Sequence, residues 1–347
     1  MKFLNILPLI SLVAAASNDT TPTVPVEVKI EQVGTTAFKA TVQSHHTADL
    51  KLLKTGSILD ESAVEKATVL SGENVIEFQG VRLYINYMNL TDSSFVNLPA
   101  NGALESTFDV ATYHDLSAGG DFQVDASGFI QYAEGSTEIA GVIPYESTFT
   151  IKVDGPEAKG KLSVFQDDPQ VFGRAKVNRN TCKGEKLTKA KNALSLCNKN
   201  AKAAAKAARS GPERRMKEYF KSATSATRKH VAGVFDAIAK ECSTNNSGKI
   251  SFSCANTNFC KSNPGVVAYA SGMNTVFCPA WYSQPVNGAC HQGDKASVIL
   301  HEFSHSLKGT QDFNAYGYAA VRRLPASKNI KHADTYTYFS NAVEVNC

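Results

Sequence analysis

His301-Glu302-Phe303-Ser304-His305 sets two imidazoles and a carboxylate within five residues. On a helix, positions i and i+4 share a face, so both rings can hold one Zn2+ ion through nitrogens at about 2.0–2.1 Å. Glu302 lies beside the first ring and can reach a water activated by that ion without ligating the metal itself. A carboxylate so placed can take the proton of the water and later deliver it to a leaving amine, which is the chemistry of a metalloprotease. Such a site needs a third protein ligand and one open position. The downstream candidates are Asp312, His332, Asp334 and Glu344. Asp312 is nearest, in Gly309-Thr310-Gln311-Asp312-Phe313-Asn314-Ala315-Tyr316-Gly317-Tyr318, where glycines permit the sharp return that brings a carboxylate back under the helix.

The elements that must position these groups are legible nearby. Ala296-Ser297-Val298-Ile299-Leu300 leads apolar into the motif, and Asp294 stands where a helix N-cap belongs. Val266-Val267-Ala268-Tyr269-Ala270 and Asn274-Thr275-Val276-Phe277 flank Ser271-Gly272-Met273, predicting a β-hairpin with a strand that could lie beside the cleft and pair with an extended peptide. Residues 187–208 are rich in Ala and Lys and read as a solvated helix, not as a nucleic-acid or membrane face. Over 213–242, Met216, Phe220, Val231, Val234, Phe235 and Ile238 recur at spacings that suit a buried helical stripe. His230, His291 and the pair Trp281-Tyr282 carry weaker signals, read as solvent-exposed or hydrogen-bonded rings and as core packing.

The 347 residues divide into two unlike halves. From Arg174 onward there are 26 Lys+Arg against 10 Asp+Glu, a charge of +16; the remainder carries 10 against 22, or −12. All eight cysteines fall in the basic half, and an even number there implies up to four disulfides in an oxidising compartment. The acidic half has short alternating runs such as Val26-Glu27-Val28-Lys29-Ile30 and Val81-Arg82-Leu83-Tyr84-Ile85, separated by turn clusters, the rhythm of a small antiparallel β-sandwich. Opposite charges on two halves should draw them together at low salt, as an inhibitor and its target. Residues 154–179 are polar, contain Gly155-Pro156 and Asp167-Asp168-Pro169, and read as a linker with processing sites at Arg174, Lys176 or Arg179.

At the N-terminus, Met1-Lys2 precedes a short apolar stretch closed by Ala14, Ala15 and Ala16, the form of a secretory signal occupying 1–16. No later segment approaches the roughly 18 apolar residues of a membrane span, so a released, extracellular product without membrane partners is expected. Asn89-Leu90-Thr91 and Asn245-Asn246-Ser247 permit glycosylation.

HEFSH followed by GTQD and YGY resembles the deuterolysin (neutral protease II) family, the aspzincins of fungal secretions, with specificity from about Cys182 to Cys347. The resemblance implies an α+β protein: a mainly helical, zincin-like catalytic domain with a small β-hairpin or sheet, preceded by an all-β propeptide. The expected division is 1–16 signal, 17–176 propeptide with its boundary within 174–179, and 177–347 catalytic domain. Cleavage after Lys176 would put Cys182 sixth in the mature chain, as in the family, although the usual dibasic pair is absent. His301, His305 and Asp312 become ligands of one Zn2+, Glu302 the general base, and Tyr316 the donor to the oxyanion, with Tyr318 as its substitute. Asp334, in an Ala-Asp-x-Tyr segment, would support the site or shape its substrate pocket. Family disulfides map onto Cys182–Cys254, Cys260–Cys278 and Cys290–Cys347, leaving Cys197 and Cys242 for a fourth. The loop departs from the pattern, since only six residues separate His305 from Asp312 and three separate Asp312 from Tyr316. The resulting expectation is a secreted, monomeric zinc endopeptidase made as a zymogen, held by its own propeptide and acting on proteins and peptides, with basic proteins among them. The competing reading is a secreted zinc-containing binding protein that has lost catalysis.

Overall fold

A computed structural model describes residues 24–87, 90–165, 177–243 and 248–347. The signal stretch, Asn89, Asn245, Arg174 and Lys176 lie outside the described residues.

The acidic half is built of strands β1 (Val26–Gln32), β2 (Ala37–Ser44), β3 (Leu50–Leu53), β4 (Thr68–Ser71), β5 (Asn74–Val75), β6 (Arg82–Ile85), β7 (Phe95–Leu98), β8 (Ala103–Asp109), β9 (Gly120–Ala133) and β10 (Gly141–Val153). The alternating sequence of β2 buries every second residue, as a strand with one covered face must. Two sheets result: β1-β2-β8, and β5-β4-β9-β3-β7 with β10 paired along β9 over its whole length. Their inner faces share one core, in which Phe38, Ala40 and Val42 of the first sheet meet Val69, Val124 and Ile130 of the second.

β6 belongs to neither sheet. It crosses to the basic half and becomes the outer strand of a four-stranded sheet, order β11-β13-β12-β6, with β11 (Ser251–Ser253), β12 (Val266–Ser271) and β13 (Asn274–Phe277). The expected hairpin is β12 and β13, turning at Gly272 with φ of 54°. The peptide-pairing edge of β12 is therefore occupied by the chain's own residues, antiparallel, with Tyr84 opposite Ala268 and Leu83 opposite Tyr269.

Part of the expected linker is ordered. α1 (Gly155–Lys161) is capped by the Asp154 side chain, which accepts from the Glu157 N–H at 3.1 Å, and Pro156 occupies the first turn, where a missing N–H costs nothing. The helices of the basic half follow: α2 (Gly184–Ser210), α3 (Glu213–Phe220), α4 (Ser225–Ser243), α5 (Asn258–Ser262), α6 (Pro279–Tyr282), α7 (Lys295–Lys308), α8 (Gly317–Arg323), α9 (Ala326–Asn329) and α10 (Ala333–Val345). The stripe expected over 213–242 is two helices, because the chain breaks at Lys221, which adopts φ of 55°. Its residues Met216, Phe220, Val231, Val234, Phe235 and Ile238 all reach the core formed with α7 and α10. Trp281 is fully buried and stacked on Phe277, as packing would have it. Disulfides join Cys182–Cys254, Cys197–Cys242, Cys260–Cys278 and Cys290–Cys347, the second linking α2 to α4. No helix among the described residues is long and apolar enough to cross a membrane.

Candidate metal centre

α7 begins with a capping box: Asp294 accepts from the Ser297 N–H at 2.7 Å, and the Ser297 hydroxyl accepts from the Asp294 N–H at 2.7 Å. From that fixed start the helix carries His301 and His305 on one face, with their Nε2 atoms 3.0 Å apart. It ends at Gly309, whose φ of 60° turns the chain back sharply. The returning loop brings Asp312 Oδ1 to 3.3 Å from each Nε2. These three atoms are spaced as three corners of a tetrahedron about a small cation bound at about 2.0–2.2 Å. All three side chains are buried, a costly arrangement for an unshared carboxylate and two rings.

The second nitrogen of each ring is fixed as metal-ligating histidines require. His305 Nδ1 lies 2.7 Å from the Thr310 carbonyl, to which it donates. His301 Nδ1 stands 2.9 Å from Asp334 Oδ1, while Asp334 Oδ2 accepts from the Gly317 N–H at 2.8 Å. One carboxylate thus ties α7 to the start of α8 from the first turn of α10. Burial alone would hold His301 neutral, but Asp312 and Asp334 together raise it well above its ordinary value. Burial opposes the charge on Asp312 too, yet the two rings bring it well below the carboxylate range.

Glu302 is fully buried, and neither of its oxygens closes a hydrogen bond. Desolvation raises its affinity for a proton strongly, offset in part by His301 and by the Tyr84 backbone amide that faces it. A buried carboxylate with a raised proton affinity beside a metal-type donor set is a candidate for proton transfer.

The loop bearing Asp312 is held from the acidic half. Gln311 donates to Glu65 and to Thr68, each at 3.0 Å. The Asn314 amide, oriented so that its nitrogen donates to the Gly56 and Glu65 carbonyls, meets the Tyr145 hydroxyl at 2.8 Å. Gln131 donates to the Tyr316 carbonyl at 2.9 Å. Phe313 and Asn314 adopt φ of 50° and 47°, left-handed values that side-chain-bearing residues keep only when their surroundings impose them.

Tyr316 is buried among residues of the acidic half, including Leu53, Val64 and Phe95. Burial and the Asp312 charge push its phenol well above 10, so it is a neutral donor. The Tyr318 hydroxyl donates to Glu218 and its ring stacks on His291, 3.5 Å between centroids. Glu344 is also elsewhere, accepting from Asn200. His332 is buried behind the loop, its Nδ1 3.0 Å from the Thr335 hydroxyl, and is not part of the donor trio. His291 sits against the Cys290–Cys347 bridge, and the exposed His230 also lies outside the trio. Sequence reasoning missed the residues of the acidic half that touch the site, above all Tyr84, Glu65 and Gln131.

Residues 3–347 match the family described as Deuterolysin metalloprotease (M35). A neutral protease 2 homolog of Colletotrichum graminicola is 38% identical over 100% of both chains, and one of Phaeosphaeria nodorum 39% identical over 100% of both. Among solved structures, a zinc peptidase from Grifola frondosa is 23% identical, covering 46% of this chain and 97% of that one with a TM-score of 0.40.

Proposed function

This chain belongs to the deuterolysin metalloprotease (M35) family, and from that membership we propose that it is a secreted zinc endopeptidase synthesised as a zymogen, with residues 17–176 as propeptide and 177–347 as catalytic domain. The observation that carries the reading is the trio of His301 Nε2, His305 Nε2 and Asp312 Oδ1, at 3.0 to 3.3 Å from one another beside the unpartnered Glu302 carboxylate.

Those three side chains would hold the zinc, and two imidazoles with one carboxylate oxygen suit that ion. When bound, it supplies Lewis acidity to the substrate carbonyl and acidifies water. Glu302 takes the proton of the attacking water on a carboxylate oxygen and hands it to the amine as the C–N bond breaks. Tyr316 donates its O–H toward the oxygen that gains negative charge, a task for which a phenol kept neutral by burial is suited. Asp334 fixes the His301 ring by holding its Nδ1–H, so that Nε2 presents a lone pair.

Latency is supported by the occupation of the cleft. β6 fills the edge of β12, and His301 and Glu302 are wholly covered, so an extended peptide has no entry while the acidic half stays in place. Basic proteins are proposed as one substrate class only through local acids such as Asp334, because the field of the +16 half opposes them.

Glu302→Gln in the processed, zinc-loaded protein tests the catalytic reading. Zinc should remain bound while peptide hydrolysis falls by three orders of magnitude or so. Hydrolysis that persists in this variant, or after a chelator strips the metal, would overturn the zinc-protease reading, whereas a processed, zinc-loaded native protein that hydrolyses no peptide would point to the binding-protein alternative.

A further inference from the structure

β7 and β8 follow one another in the chain but end different sheets, so this corner of the sandwich stays unzipped. A cavity of about 600 Å3 opens there, within the roughly 300–1,000 Å3 typical of small-molecule sites. Leu59, Val64, Phe78, Phe95, Leu104 and Phe108 form its apolar wall. Leu104 and Phe108 pack on the sandwich core yet remain partly exposed, as residues of an unfilled face would.

The charged groups around this wall are unevenly matched. Asp60 accepts from the Gly56 N–H at 2.7 Å and the Ser62 N–H at 2.9 Å, Glu105 pairs with Lys39 at 3.0 Å, and Asp109 pairs with Lys161 at 3.2 Å. Glu61 is turned to solvent. The two lysines of the lining have no carboxylate partner among the described residues. Lys66 donates to the Ser62 carbonyl at 3.0 Å, and Lys54 is exposed. Burial pushes the Lys66 ammonium down to about 8, with Asp60 opposing. An ammonium deprived of water, with N–H donors to spare, is relieved by an anion.

We propose that this cavity binds a fatty acid, its carboxylate on Lys66, with Lys54 adding charge at the mouth and the alkyl chain along the apolar wall between the two sheets. A neutral alcohol would leave the ammonium unrelieved, and a cationic amphiphile would meet like charge. The site lies wholly in the acidic half, apart from the metal-type centre. Its wall nevertheless reaches the clamp on the Asp312 loop, because the Arg82 guanidinium that pairs with Glu65 lies 5.1 Å over the Phe78 ring. Occupancy therefore stiffens the half that covers the centre.

The test is isothermal titration of the full-length chain with decanoate, decanol and decyltrimethylammonium. The expected result is one decanoate per chain, bound at least about tenfold more tightly than decanol, with no saturable binding of the cation. Decanoate should also raise the thermal transition, since it binds the folded state. Lys66→Met should cut decanoate affinity by about tenfold and leave that of decanol unchanged. Ser106→Trp, which sets an indole on the lining, should abolish binding of both. Absence of saturable decanoate binding, equal affinity for decanoate and decanol, or unchanged decanoate affinity in a folded Lys66→Met protein overturns the site and leaves the protease reading intact. If Ser106→Trp does not fold, the probe series and Lys66→Met decide.

Discussion

Tyr84 and His301 stand 5.0 Å apart, ring edge to ring face at 88°, although 216 residues of sequence lie between them. That contact joins the acidic half to the metal-type centre and explains why the centre is closed. An exposed strand edge invites an added strand, and β12 would present such an edge to any peptide. β6 satisfies it first. Opposite net charges bring the halves together at long range, but the contacts that hold them are mostly backbone pairing and neutral polar clamps, with Lys328–Asp125 at 3.5 Å as an ionic addition.

The ligand set is separable by metal content. Asp312→Ala should abolish stoichiometric zinc binding, because it removes one of three donors and leaves two rings facing a void. Asp334→Asn should keep the three donors yet weaken zinc affinity by about 10–100-fold, since it alters only the partner of His301 Nδ1. Competition against a chromogenic chelator measures both. Equal losses in the two variants, or none in Asp312→Ala, would reassign the third ligand.

Tyr316→Phe in the activated enzyme should bind zinc normally and keep KM within a few-fold, with kcat lowered by about 10²–10³. The loss belongs to kcat because the donor is called on only when charge develops on the substrate oxygen. Steady-state kinetics with metal analysis checks it, and Tyr318→Phe serves as the comparison, since that hydroxyl is engaged with Glu218. A Tyr318→Phe protein losing more than Tyr316→Phe would reverse the assignment.

Local signals made much of this legible and distance concealed the rest. The motif helix, its Asp294 cap, the hairpin turning at Gly272 and the apolar stripe from Met216 to Ile238 are all written in spacings of a few residues. α1 was legible in principle, because Asp154 and Pro156 are start signals, but the Gly-Pro pair suggests a linker just as readily. Nothing near Val81-Arg82-Leu83-Tyr84-Ile85 distinguishes a strand of the acidic sheets from one that leaves them, since the choice is made by β12, some 180 residues onward. The clamp on the Asp312 loop is of the same kind: Glu65 and Gln131 are ordinary polar residues of the acidic half until Gln311 and Tyr316 are folded against them.

Glu65 is the residue on which that clamp converges. Its carboxylate takes the Arg82 guanidinium at 2.8 Å and the Gln311 amide at 3.0 Å, with both charged side chains largely covered. Glu65→Ala leaves Arg82 half-buried without its counter-charge and frees the metal-ligand loop, at a cost of about 1–3 kcal/mol. If the acidic half closes the site as proposed, peptide hydrolysis by the full-length, zinc-loaded chain before any processing should therefore rise several-fold over that of the native full-length chain. Activity that stays at the native level, with a lowered melting temperature showing that the contact was indeed lost, would assign latency to β6 alone.

Acid should loosen the same half through His114. The ring is buried against Phe78, donates Nδ1–H to the Val110 carbonyl at 2.9 Å, and leaves Nε2 without a partner. Burial lowers its proton affinity below the ordinary 6.5, with Glu65 opposing and Arg82 adding to the effect. Between that lowered value and 6.5 the unfolded chain binds more protons than the folded one, so stability rises with pH across this window. Above 6.5 the contribution is constant; below it, stability declines as pH falls toward the folded value, beneath which the penalty is complete. Urea unfolding of the full chain from pH 5 to 8 should show this decline, and the native-minus-His114→Asn difference should isolate it from the carboxylates that titrate lower down. A difference that does not change with pH would mean that His114 contributes packing and no proton linkage.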